Sequence, residues 1–593
     1  VALFTALLLK QSFIPEISIE QIAHVEGAVL SGHLMTPAGK VLLHAIRTPT
    51  GFYAEDDQTF VSDQTALFLN GYVYSYERAT PVLLTAEDIA DEFSISRIDD
   101  LAGDYSLVHV DASGVITALA DPCGIQGLYY IETPQFVGIS TRPSVLAALS
   151  GTRKIDNASV AWTSAMGYRL GERTMYANVR AIPQGTALVV RDGRIEFVTR
   201  ACHLSRQRSV PDGLSAAHDD AFERAIAAAG CAVQLASRKN ECLNLAITGG
   251  KDCRLVLACC LALGFKDRIS LFTSGADDHP DVVVGRMIAE AIGVPHKTHL
   301  PKDVAGEDPT AISAQDFIRK ISIFSYQLDG MCGGFDSRFV TKATRGVSMS
   351  GSMGEVLKGN AKRPWDPQKE IAALDFVRLV SPCDPLKVIT TPALDAMAEE
   401  ILAQRAMFRS WEFDNTHHPD LFYHTNRVPN WLGSFRQIQT FAGDFVNPLG
   451  VAPLVSLAFQ ATADQRKHEK VHYEIMRRTA PLLLDIPFAN QEWHESLSTN
   501  RRPPVELPAG SSTPKYGSWQ HAINHNRDIR KLIVKVLASE PAGDFWDVID
   551  QSKLFGLLHS DKEIAYLEQI SLLGIIQSKI FSSGNFEPVK IAA

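Results

Sequence analysis

The chain has 593 residues, 46% of them hydrophobic and 21% charged, with a formal net charge of -10. A single core stops growing well below that length, so two or more domains are expected. The acidic balance with dispersed Lys and Arg excludes a general nucleic-acid binder. No window reaches the roughly 18 consecutive apolar residues of a membrane span. Nine cysteines show neither a CxxC pair nor zinc-like spacing, which suits a cytoplasmic protein.

The opening "VALFTALLL" reads as a buried first strand, since no basic region precedes it and no small-residue cleavage site follows. Up to about residue 200 come short strand-like runs separated by Gly, Asp and Pro turns: "KVLLHAIRT", "TALFLNGYVYSY", "GDYSLVHVDASGVITALAD", "GLYYIE" and "TALVVRDGRIEFVT". From about 213 the texture turns helical in "GLSAAHDDAFERAIAAAGCAVQLAS". Then "LNLAI" reads as a strand, "KDCRLVLACCLALG" as a helix, "RISLFTS" as a strand and "HPDVVVGRMIAEAIGVPH" as a helix. That alternation predicts a doubly wound parallel sheet, so the whole is α/β. Residues 499–518, "TNRRPPVELPAGSSTPKYGS", predict a loop.

The turn "TGG", 248–250, falls at the carboxyl end of its strand, where ligands bind in such sheets. The helix start offers N–H groups and a positive dipole end, and two glycines let backbone approach an anion. Thr248 adds a hydroxyl, and Asp252 is a candidate Mg²⁺ ligand. The same spacing also fits an ordinary turn with Asp as helix cap. Neither GxGxxG nor GxxxxGK[ST] occurs at this turn.

"ITGGKDCR" resembles the pyrophosphate-binding loop SGGxD[ST] of ATP pyrophosphatases, and the surrounding chain resembles the asparagine synthetase class B family, which includes β-lactam synthetases and lasso-peptide macrolactam cyclases. "LNGYVYSY", "LAGDYSLVHVD" and "ADPCGIQGLYY" are similar to that family's NGEIYN, GDFAFVLWD and RDxxGxxPLYY elements, in the same order. The resemblance implies an N-terminal Ntn-hydrolase-like αββα sandwich over 1–200 and a PP-loop synthetase domain of doubly wound α/β type, with added helices, over 201–593.

In the glutamine-hydrolysing members the first residue is a nucleophilic Cys. Here Val1 has neither thiol nor hydroxyl, Ala120 replaces the Arg of RDxxG, and Arg142 stands where an acidic residue is usual. Asn70 and Gly71 match the oxyanion-hole positions. The resemblance therefore implies an inactive glutaminase domain, as in the β-lactam synthetases and lasso cyclases.

In the synthetase half it implies that Thr248, Gly249, Gly250, Lys251, Asp252 and Cys253 hold pyrophosphate. "SGSMGEVLKG", 350–359, resembles the family's second signature SGEGSDELFGG, with Ser350 and Gly351 at the nucleotide and Glu355 at its metal-binding Asp. Asp252 and Glu355 are then the Mg²⁺ ligands. Cys253 replaces the usual Ser, and Ser352 stands at the Tyr of the β-lactam synthetases. Thr273, at the end of "SLFTSG", is the adenine contact, or else a plain strand end. Lys515, in "STPKYGSW", is the catalytic lysine facing the acyl-adenylate.

"HEKVH", 468–472, satisfies the zincin spacing HExxH. Its charged flanks favour surface histidines, and the resemblance places it on a synthetase-domain helix.

The expectation is a cytoplasmic, ATP- and Mg²⁺-dependent ligase forming AMP and an amide. Its partner is a small molecule or peptide bearing both carboxylate and amine, closed to a lactam or macrolactam. Lasso-type chemistry would add a precursor peptide and its leader protease. The alternatives are a ligase using free ammonia or a second amine, and a degenerate scaffold or ATP sensor. Nucleic acid and membrane are not expected partners.

Overall fold

The computed structural model describes residues 3–10, 28–37, 39–47, 52–53, 57–76, 81–152, 154–207, 210, 212–299, 312–331, 347–349, 351–442, 444–498, 502–506, 519–539, 545–567, 570–571 and 573–574. The strands of the first half are β1 (Leu3–Leu9), β2 (Ala28–Thr36), β3 (Gly39–Arg47), β4 (Thr59–Val61), β5 (Ala66–Gly71), β6 (Tyr74–Ser75), β7 (Val82–Leu83), β8 (Leu101–Ala102), β9 (Tyr105–Val110), β10 (Ile116–Ala120), β11 (Tyr129–Glu132), β12 (Phe136–Ser140), β13 (Arg180–Ala181), β14 (Thr186–Arg191) and β15 (Arg194–Thr199). They form two six-stranded antiparallel sheets, ordered β13-β11-β12-β1-β3-β2 and β15-β14-β10-β9-β5-β4, and a small β7-β6-β8 sheet.

The six-stranded sheets pack face to face. Phe4, Ala6, Leu8, Val41 and Ile139 of one share a buried cluster with Phe68, Val108, Ile116 and Leu188 of the other. Leu7 and Leu9 point the opposite way, into the main core. The first strand is thus apolar along its whole length because both faces are covered, which is the reading its sequence invites. Helix α1 (Ala86–Ala90) packs on β4 and β5, and α2 (Pro143–Leu149) on β11 and β12. This is the αββα layering expected of 1–200. The turn "RDGR" closes β14 onto β15 with Asp192 at φ 50° and Gly193 at φ 73°. These are the values a two-residue type I′ hairpin demands.

The second half opens with α3 (Asp219–Lys239), whose Ala225, Ala228, Ala229, Ala232 and Ala236 are buried. Next come β16 (Leu243–Ala246), α4 (Asp252–Ala262), β17 (Ile269–Ser274), α5 (Pro280–Ile292), β18 (His296–His299), β19 (Val347–Met349) and β20 (Asp444–Val446). All five strands are parallel, in the order β18-β17-β16-β19-β20. The chain runs outward from β16 to β18, then restarts on the other side of β16. The crevice between the ends of β16 and β19 is therefore the topological switch point, where such sheets bind ligands. The α/β class and doubly wound sheet read from the sequence are both present.

A buried polar network joins the halves. Asp104, ahead of β9, accepts hydrogen bonds from Arg436 (3.1 Å) and Asn447 (2.8 Å), and the Ser352 hydroxyl donates to the Asn447 carbonyl (3.3 Å). A path of side chains thus runs from the sandwich to the loop after β19. Among the described residues no helix is long and apolar enough to cross a membrane.

Candidate functional site

The turn 248–251 lies between β16 and α4, at the switch point. The loop after β19 is pressed against it. A Cβ on Gly351 would lie 2.6 Å from the Asp252 carbonyl carbon and the Cys253 nitrogen, and one on Gly354 would lie 2.4 Å from Asp252 Cγ. The two segments picked out by resemblance, about 100 residues apart in sequence, are in contact. Cys253 lies at this contact, where burial and the Asp252 charge push its thiol pKa up against the influence of the Gly351 backbone and the Thr248 hydroxyl.

The glycines of "TGG" do different work. Gly249 is needed for packing, since its Cβ would lie 2.2 Å from Ala489 Cβ, and its carbonyl accepts the Ala489 N–H at 3.0 Å. Its own N–H donates to the Asp281 carboxylate at 2.8 Å. Gly250 is the open one: a Cβ there would meet only the Thr248 hydroxyl at 3.4 Å and Gln491 at 3.8 Å. An anion approaching this turn therefore meets it at Gly250 and the first turn of α4.

Lys251 turns inward. Its ammonium pairs with Glu469, donates to the Glu492 carbonyl (3.2 Å) and lies 4.8 Å from the Trp493 ring centre. Burial pulls its pKa down, and Glu469 offsets part of that. Arg254, on the buried face of α4, donates to the carbonyls of Leu483, Ile486 and Pro487 at 2.7–3.0 Å and packs on Phe488. Burial lowers its pKa to about 9. It fastens α4 to the segment that carries Ala489.

Asp252 starts α4. One carboxylate oxygen accepts from His472 Nε2 at 2.8 Å and the other from Lys358 Nζ at 3.2 Å. Burial works against its charge, but His472 and Lys358 outweigh burial and its pKa is lowered. Lys358 Nζ also lies 2.9 Å from Glu355. Burial opposes the Lys358 charge, yet Asp252 and Glu355 hold the ammonium above its usual range.

Asp252 and Glu355, expected to share Mg²⁺, are thus brought to one cation, and that cation is Lys358. A donor set already bridged by an ammonium does not fit a metal ion at the same point. Among the described residues no group of three or more His, Cys, Asp or Glu is arranged around a metal site.

Thr273 is buried at the end of β17. Its hydroxyl donates to the Ile247 carbonyl (2.7 Å) and lies 3.0 Å from His296 Nε2. Its hydroxyl braces two strands. Ser350 and Lys515 lie outside the described residues. Gly351 is in place against α4.

The HExxH segment is corrected twice. Glu469 sits at φ 61° and breaks the helix, so His468 and His472 do not share a continuous turn. His468 stacks on His494, ring centres 3.4 Å apart, while His472 is fully buried against Asp252. Of the charged neighbours that suggest a surface helix, Asp464, Lys467 and Arg477 are exposed, while Arg466 is buried against Asp420. Glu469 and His472 therefore both reach the turn 251–252 from α6 (Lys470–Thr479) and its cap, and nothing in their local sequence announces those partners.

In the first half, Asn70 is buried and its amide donates to Gln126 (3.1 Å) and Ser106 (3.5 Å). A Cβ on Gly71 would lie 2.0 Å from the Asp104 carbonyl oxygen. Arg142 forms a buried pair with Asp329. Asp121, of "ADPCG", accepts the N–H groups of Cys123, Ile125 and Gln126. Burial and the Asp104 charge push its pKa up to about 7 against those hydrogen bonds. A separate cavity of about 610 Å³, lined by residues such as Tyr129, Gln184, His203, Trp411 and His424, lies where the halves meet and includes none of the turn 248–253.

No family model matches the chain, and no curated protein matches it. Among solved structures, the chain is similar to the glutamine phosphoribosylpyrophosphate amidotransferase of B. subtilis complexed with ADP and GMP, at 13% identity, TM-score 0.23, over 50% of this chain and 65% of that one. It spans less than two thirds of that protein. A second match, an allosteric regulatory enzyme of purine biosynthesis, has 10% identity and TM-score 0.23 over 51% of this chain and 80% of that one.

Proposed function

We propose that the protein is an ATP-dependent, AMP-forming amide synthetase of asparagine synthetase-like type. A substrate carboxylate oxygen bonds to the α-phosphorus of ATP and pyrophosphate leaves. An amine nitrogen then attacks the acyl carbon, AMP departs, and the amine proton is lost to solvent or a base. The task of the turn 248–253 is to hold pyrophosphate through α4 and the open face at Gly250.

The observation that carries this reading is the contact of Gly351 and Gly354 with Asp252 at the switch point, which joins both candidate nucleotide segments. Lys358 supplies positive charge beside the expected phosphate position. In the most specific form, carboxylate and amine belong to one substrate and the product is a lactam or macrolactam. The test is ATP–pyrophosphate exchange with a panel of carboxylate-bearing peptides, for wild type and Asp252→Ala. Exchange lost in the variant supports the reading, and equal exchange in both removes it.

A second reading, a scaffold or ATP-sensing protein, is favoured by the self-pairing of the turn: Gly249 with Asp281, Lys251 with Glu469 and Asp252 with His472. ATP binding by equilibrium dialysis without exchange on any substrate selects it.

A further inference from the structure

We infer that Lys358 takes the place of a protein-bound divalent cation, its ammonium serving as the fixed counter-charge between Asp252 and Glu355. This deepens the proposed function by naming what neutralises the carboxylates beside the phosphate-binding turn, and it rests on that reading for its role in catalysis.

Asp252, Glu355 and Glu469 bring three negative charges to this corner, against Lys251 and Lys358, with His472 hydrogen-bonded to Asp252. Lys251 is committed to Glu469, leaving two carboxylates that share the Lys358 ammonium at 3.2 and 2.9 Å. An ammonium has three donors and no preferred coordination number, so it bridges two carboxylates where Mg²⁺ would demand an octahedron of oxygens.

The backbone also fixes its reach. Residues 354–357 form one 3-10 turn, so Glu355 and Lys358 fall three apart on one side of it. Gly354 and Gly351 hold that turn against Asp252. Asn360, whose amide donates to the Glu355 and Lys358 carbonyls at 3.3 and 3.0 Å, fastens the end of the turn. The Lys358 side chain is about one-fifth exposed and that of Asp252 the same, so the pair opens toward the crevice.

The consequence is a site whose cation is covalently part of the chain. Nucleotide then meets a fixed positive charge, and any Mg²⁺ arrives on the phosphate oxygens of ATP.

The experiment is a Mn²⁺ titration, followed by electron paramagnetic resonance, of the full chain without nucleotide. The proteins are wild type, Lys358→Met, Lys358→Arg and the double variant Lys358→Met with Glu355→Gln. Removing the ammonium leaves Glu355 without its counter-charge and Asp252 with His472 alone, so K358M should bind Mn²⁺ about tenfold more tightly than wild type, because site charge sets cation affinity. K358R should stay at the wild-type value, and the double variant should lose the gain.

Wild type binding as tightly as K358M would show that metal displaces the lysine and would overturn the inference. So would a folded K358M that gains nothing. Because no nucleotide is used, these outcomes are independent of ATP–pyrophosphate exchange, which alone decides whether the protein is a synthetase.

Discussion

The candidate site in the sandwich is closed by buried side chains of both halves, whereas the one at the parallel sheet stays partly open and charged. Asn70 and Asp104 are 6% and 3% exposed, and their polar atoms are used by Gln126, Ser106, Arg436 and Asn447. At the switch point the Asp252 and Glu355 side chains are 20% and 44% exposed around a single ammonium. A polar group buried and satisfied specifies packing, while a half-exposed carboxylate pair retains capacity for a ligand. On the proposed function the chemistry belongs to the second half, and the seam serves structure.

The largest effect expected from that contrast is on stability. Asp104→Ala strands Arg436 in the seam and should cost about 3–5 kcal/mol, read as a lower urea midpoint, whereas replacing both partners by apolar residues should cost much less. Next comes activity: Asp252→Asn should reduce ATP–pyrophosphate exchange about 100-fold, while Asn70→Ala leaves it within about twofold, since no reacting atom is expected at the sandwich. Exchange that fell equally in both variants would erase the contrast.

Gly249→Ala forces a Cβ into Ala489 and should cost about 1–3 kcal/mol. Gly250→Ala, which meets nothing closer than 3.4 Å, should leave stability nearly unchanged and weaken nucleotide binding.

The last expectation is a pH slope. The folded pKa of Asp121 is raised to about 7, so near pH 5.5 the folded protein holds a proton that the unfolded chain has released. Its contribution is complete below about pH 4 and is lost as pH rises toward 7, at no more than about 1.4 kcal/mol per pH unit. Asp121→Asn should lack that segment of the stability profile, measured by denaturation from pH 4 to 8.

Strand runs and the helix after "TGG" were legible because periodicity and turn residues act locally. The alternating faces of Phe4, Ala6 and Leu8 against Leu7 and Leu9 follow from the same rule. What stayed hidden depends on partners far along the chain. Gly249 answers to Ala489, His472 to Asp252 and Lys251 to Glu469, each more than 200 residues away. The break in the HExxH segment was hidden because Glu469 takes a left-handed conformation without being glycine, which no spacing rule registers. Thr273 stayed open between ligand contact and strand end because a strand-end hydroxyl looks the same whether it faces a ligand or a neighbouring strand.

The path Ser352–Asn447–Asp104, with Arg436 beside it, bears on inheritance as well as on packing. A gene split near residue 200 would yield two products, each with half of a buried ionic contact facing water, and each would regain its partner only by reassociation. Selection on the second half therefore also acts on the sandwich that forms its wall, so drift in the sandwich is restrained at Asp104.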